Sequence, residues 1–184
     1  MTPGIGHNGG PADDAGRSWR RHCWTKARER LLPTLPIEVV RLRVKRAADL
    51  GLDYRTYASV RAATGHDVVA FLFSSNALRV WPAAPDLPAD RAAKLGALVA
   101  VGRVGLACGK LSPEVLARPP LDAAFAAPGA LAGWASQRAA LRDALGRLPP
   151  DRVLLVGDHG LERDWCAAGR LAGYVPAERY FAPV

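Results

Sequence analysis

Three short clusters combine residue types that acid–base, nucleophilic or oxyanion chemistry needs: Ser74-Ser75-Asn76, Cys108-Gly109-Lys110 and Gly157-Asp158-His159-Gly160. Together they supply hydroxyls, an amide, a thiol, an ammonium, a carboxylate and an imidazole. Each cluster follows an apolar run that reads as a strand. In a parallel α/β sheet, the loops leaving the carboxyl ends of the strands converge on a crevice where ligands bind. Ser74, Ser75, Asn76, Lys110, Asp158 and His159 are therefore the candidate ligand crevice. No complete catalytic motif accompanies them: none of the three lies in a G-x-G-x-x-G fingerprint, a phosphate loop or a G-x-S-x-G elbow. Catalytic residues are thus left unassigned. His22, His66 and His159 are too dispersed to read as metal ligands, and His7 in a glycine-rich stretch is not a metal site. No metal and no cofactor is indicated.

The elements that must position these clusters can be read from periodicity. The run DVVAFLFSS is continuously apolar with β-branched and aromatic residues, as in a strand buried on both faces. Residues 103–108 and the run RVLLVG give two more strands, and the stretch from Tyr174 to Phe181 a short edge strand that tolerates Pro176. Helices are expected over Asp90 to Val101, from Pro113, over Gly133 to Leu148, and over Leu161 to Leu171 closed by Gly173. Asp158 is placed to cap the last of these. Residues 118–133, rich in Pro, Gly and Ala, read as an irregular crossing. Strands alternating with helices predict an α/β fold, with a small, mainly parallel sheet of three to four strands flanked by helices and preceded by a basic helical N-terminal region. The expected divisions are a disordered tail over 1–16, a basic helical region over 17–65 and an α/β domain over 66–184.

The net charge of +8 is unevenly spread. From Arg17 to Arg46 there are ten Lys or Arg against only Glu29 and Glu38, so this stretch carries the whole excess. In the segment SWRRHCWTKARERLL, Trp19, Cys23, Ala27 and Leu31 recur at i+4 and predict a first helix. Pro36 suits the first turn of a second helix running to about Leu50, with Ile37, Val40, Val44, Ala47 and Ala48 as its apolar face. Gly51 reads as its left-handed cap, Asp53 as the cap of a third helix from Tyr54 to about Ala63, and Gly65 as that helix's end. Ala47, Leu50, Gly51, Leu52, Tyr57 and Val60 resemble the framework of a helix-turn-helix over about twenty residues. The resemblance implies that Tyr54, Arg55, Thr56, Ser59 and Arg61 are the exposed positions of a recognition helix. Arg46 departs from the pattern, standing where the family has an apolar residue between the helices.

A localised cationic element points to an anionic partner, such as nucleic acid, an acidic protein surface or an anionic membrane surface. The nucleic-acid-binding candidates are Arg17, Arg20, Arg21, Trp24, Lys26, Arg28, Arg41, Lys45 and Arg55, with arginines on phosphates and indoles stacked on bases. The leading functional expectation is a nucleic-acid-associated module on an α/β scaffold. The alternatives are a small enzyme or ligand-binding protein using the strand-end crevice, and an adaptor for an acidic partner. The run LLVGDHGLERD resembles the Val-Gly-Asp strand end of haloacid-dehalogenase-like phosphatases, where the aspartate helps hold magnesium. That family also needs an Asp-x-Asp after its first strand. This chain has Ser74-Ser75-Asn76 there and no Asp-x-Asp anywhere, so the assignment is set aside. Cys23, Cys108 and Cys166 are odd in number and unpaired in spacing, so they read as reduced thiols. With no apolar run long enough to span a membrane and no secretory start, the cytoplasm is the expected compartment.

Overall fold

The computed structural model describes residues 35–182. The chain divides into two units, Met1–Val40 and Arg41–Val184, and the fold described is that of the second. The expected tail over 1–16 and first helix, with Arg17, Arg20, Arg21, Trp24, Lys26 and Arg28, lie outside the described residues.

Five parallel strands form one sheet in the order β3-β2-β1-β4-β5. They are β1 (Ala70–Ser74), β2 (Gly102–Ala107), β3 (Ala123–Ala126), β4 (Val153–Gly157) and β5 (Gly173–Pro176). The helices, in chain order, are α1 (Ile37–Asp49), α2 (Tyr54–Thr64), α3 (Ser75–Leu78), α4 (Ala89–Gly96), α5 (Pro113–Leu116), α6 (Trp134–Leu145), α7 (Arg163–Gly169) and α8 (Ala177–Tyr180). Two short 3-10 turns, Pro150–Arg152 and Gly160–Glu162, bracket β4.

Strand alternation divides the core into two layers. Phe71, Phe73, Leu154 and Val156 pack on one face with Ala47, Leu50, Tyr57, Leu95 and Tyr180. Ala70, Leu72, Val153 and Leu155 pack on the other with Leu141, Leu145, Trp165 and Ala168. β1 lies between β2 and β4, and all five of its residues are buried. This is why its sequence is apolar without alternation.

The fifth strand is β3, which falls inside the stretch expected to be irregular. It is short, at one edge, and built of Ala-Ala-Phe-Ala, so only Phe125 carries the usual strand signature. Beyond β5 the chain turns into α8 instead of continuing as strand to Phe181. This seats Tyr180 against Phe71 and Phe73, with ring centroids 5.4 and 5.6 Å away. The helix expected over Leu161 to Leu171 begins with the 3-10 turn and ends at Gly169. Arg170 takes the left-handed conformation there, and Gly173 opens β5.

α1 and α2 follow the expected capping. Gly51 and Gly65 have φ of 62° and 75°, and the Asp53 carboxylate accepts from the Thr56 amide at 2.9 Å. The buried side of α1 differs from expectation: Ala47 and Leu50 are buried while Val44 and Ala48 are exposed. Arg46 shows why. Its Nε donates to Asp67 at 2.9 Å, Nη2 to the Val68 and Ala100 carbonyls, and Nη1 to the Val99 carbonyl. The residue that departs from the helix-turn-helix framework thereby ties α1 to the segments leading into β1 and β2.

Candidate ligand crevice

β1 and β4 are neighbours in the sheet, yet the chain leaves β1 towards β2 on one side and β4 towards β5 on the other. Such a switch point opens a crevice at the carboxyl ends of the strands. Here the space between them is bridged by Glu162, which is only 2% exposed. Its Oε2 accepts from Ser74 Oγ at 3.0 Å, from the Asp158 amide at 2.7 Å and from the His159 amide at 3.3 Å. Its Oε1 accepts from Asn76 Nδ2 at 2.8 Å, and the Cys108 thiol is directed at the same oxygen from 3.8 Å. One carboxylate thus joins the ends of β1, β2 and β4, and acceptance from many donors is what makes a buried carboxylate tolerable. Glycine at 157 is required for this contact, since a Cβ there would run into the Glu162 carboxylate and the Tyr174 ring.

The remaining strand-end groups are equally committed. Ser74 Oγ accepts from the Ala77 amide and so caps α3, while Ser75 Oγ accepts from the Cys108 amide at 3.1 Å. Burial is the main cause that pushes the Cys108 thiol above its ordinary range, and the Glu162 carboxylate adds to it. A neutral thiol is a poor nucleophile. Ser74, Ser75, Cys108 and Glu162 therefore form a hydrogen-bonded floor with no free nucleophile or base.

Above this floor lies a crevice of about 430 Å³. Asn76, Cys108 and Glu162 lie at its base, Lys110 and His159 are exposed along it, and Trp81 with Pro82, Pro128 and Trp165 supplies apolar wall. Trp81 is held by paired backbone hydrogen bonds with Ala84 and keeps 44% of its surface exposed. No protein-family model matches the chain, and neither a curated protein nor a solved structure is similar to it.

Of the six expected crevice residues, Asn76, Lys110 and His159 line the space together, and Ser74 and Ser75 lie beneath it as buried supports. Asp158 contributes its amide to Glu162, and its exposed side chain is not part of the lining. Asp158 does not stand at the cap expected of it: His159 holds the N-cap position, and the Glu162 carboxylate, three residues on, reaches back to the His159 and Asp158 amides. Sequence reasoning did not single out Glu162, Trp81 or Trp165. The available signal was the acidic residue three positions after His159, the spacing of a reciprocal cap.

Arg55 lies elsewhere, in a concavity of about 340 Å³ between α2 and β5 that also includes Thr56, Ser59 and Arg179. Thr56 Oγ1 is engaged with Asp53, as is Arg179. Arg41 and Lys45 are exposed on α1. Among the described residues no group of three His, Cys, Asp or Glu is placed to hold a metal ion. No helix among them is long and apolar enough to cross a membrane.

A larger concavity, about 860 Å³, lies between α1, α4 and α8. Its polar rim is largely spoken for: Asp53 pairs with Arg179, and Lys94 stacks over the Tyr180 ring.

Proposed function

We propose that this protein binds a small anionic ligand with a flat apolar portion in the crevice over the β1–β4 switch point. The observation that carries the reading is the convergence of Lys110 and His159 with Trp81 and Trp165 around one space above a rigid floor. Lys110 offers a flexible ammonium to an anionic group, and Asn76 has a carbonyl oxygen left over once its amide nitrogen is given to Glu162. Trp81 presents an indole face on which a ring can stack. The commitment of Ser74, Ser75, Cys108 and Glu162 to one another favours binding over covalent catalysis.

Titration calorimetry with a panel of aromatic carboxylates and nucleoside monophosphates tests this. Binding by at least one member is expected to fall about tenfold in Lys110→Gln, consistent with loss of a charge-assisted hydrogen bond. It should fall by a similar factor in Trp81→Ala. Absence of binding across the panel at millimolar ligand refutes the reading.

A second reading rests on the charge concentrated between Arg17 and Arg46: these residues engage the phosphates of a nucleic acid. With about six phosphates contacted, affinity should fall roughly a thousandfold between about 50 and 200 mM salt. Substitution of Arg17, Arg21 and Arg28 by Gln should make that dependence shallower.

A further inference from the structure

The face of the sheet opposite α1 and α2 carries a second concentration of positive charge, distinct from the 17–46 stretch. Trp134, Arg138 and Arg142 recur at i, i+4 and i+8 on α6 and so form one stripe along it, with side chains about 6 Å apart in rise. Arg138 and Arg142 line a concavity of about 290 Å³ between α6 and α7, and Arg170 contributes a third guanidinium from the end of α7. Arg170 stands there in a left-handed conformation, φ 54°. Among the described residues, no ion pair joins Arg138, Arg142 or Arg170 to a carboxylate, and Asp143 and Asp164, next along the same helices, make none either. Trp134, at the head of the stripe, is 56% exposed.

Three like charges around one hollow repel each other and leave a positive potential that an anion relieves. A regular row of guanidiniums led by an exposed indole has the composition of a strand-tracking surface, with arginine on phosphate and an aromatic face for a base. We propose that the α6–α7 seam binds single-stranded nucleic acid, with Arg138, Arg142 and Arg170 on successive phosphates and Trp134 stacked on a base. This deepens the second reading by placing part of the contact on the α/β unit itself.

Fluorescence anisotropy with labelled oligodeoxythymidylate across a salt series tests the seam. R138Q/R142Q alters only exposed side chains, so its melting temperature should match the wild type. Its affinity at about 50 mM salt should be at least tenfold weaker, with a log–log salt slope shallower by about 1.4, as expected for two lost phosphate contacts on a single strand. W134A should weaken binding about fivefold or more without changing the slope, the signature of lost stacking. Wild-type affinity in both seam variants, with loss on replacing Arg17, Arg21 and Arg28, overturns the seam and leaves the second reading standing. No binding by the wild-type protein at about 50 mM salt overturns both. A neutral W134A together with tripolyphosphate binding as tight as the oligonucleotide marks a compact phosphate site and overturns the strand.

Discussion

Glu162 is held by donors rather than by a cation: two amides, a hydroxyl, a carboxamide and a thiol surround it. Truncation to Ala strands several of those donors in the interior, so Glu162→Ala should cost about 3 kcal/mol in denaturant unfolding. Glu162→Gln turns an amide nitrogen towards a ring of donors and should cost nearly as much. A loss below about 0.5 kcal/mol in both variants would show that the bridge contributes little. The thiols make a second prediction. Burial pushes the Cys166 thiol up to about 12 and raises that of Cys108, so the folded state retains protons that an unfolded chain releases near pH 9. Their contribution to stability is complete below about pH 9 and declines as pH rises towards the folded value. Iodoacetamide at pH 8 should accordingly leave both cysteines unmodified until the protein is denatured, as read by mass spectrometry.

At the scale of elements, Arg46 and Arg91 are opposite uses of the same side chain. Arg46 closes the gap between α1 and the loops before β1 and β2 with four hydrogen bonds. Arg46→Ala should lower stability by about 2 kcal/mol in denaturant melts, because Asp67 loses its ionic partner. Arg91, on α4, is 4% exposed, with Nε and Nη1 unpartnered and its guanidinium 3.8 Å from the centre of the Phe181 ring. The Asp90 carboxylate, at 3.6 Å, is too far for a hydrogen bond. Burial lowers the Arg91 pKa, helped by the neighbouring Arg79. Arg91→Met keeps the apolar stem and removes a buried guanidinium whose Nε and Nη1 make no hydrogen bond, so it should be neutral or stabilising by about 1 kcal/mol. A loss of 2 kcal/mol or more would show that the stacking outweighs the burial. These elements also show where sequence is informative. α2 was readable because Asp53 and Gly65 mark its ends chemically, and β1 because burial on both faces leaves a continuous apolar run. β3 was not, because an edge strand of alanines needs only its backbone ladder to β2. α8 was missed because Tyr180 and Phe181 carry strand propensity, while their contact with Phe71 and Phe73 is long-range.

Across the whole molecule, parallel topology brings together what the sequence scatters. Asn76, Lys110 and His159 were recognisable beforehand because each follows an apolar strand, and that rule locates a crevice without describing its walls. Trp81 stands in a proline-rich connection and Trp165 on α7; only the sheet order puts both beside Cys108 and Glu162. Asp158 follows a strand too, but the tight turn that gives its amide to Glu162 leaves its carboxylate outside. Amide chemical-shift mapping during titration with an aromatic monophosphate tests whether the β1–β4 switch point is the proposed ligand site. Saturable shifts are expected, concentrated at Asn76, Trp81, Cys108 to Lys110 and His159 to Glu162, and lost in Lys110→Gln. Saturable shifts confined to the α1–α4–α8 concavity, or none at millimolar ligand, would contradict it.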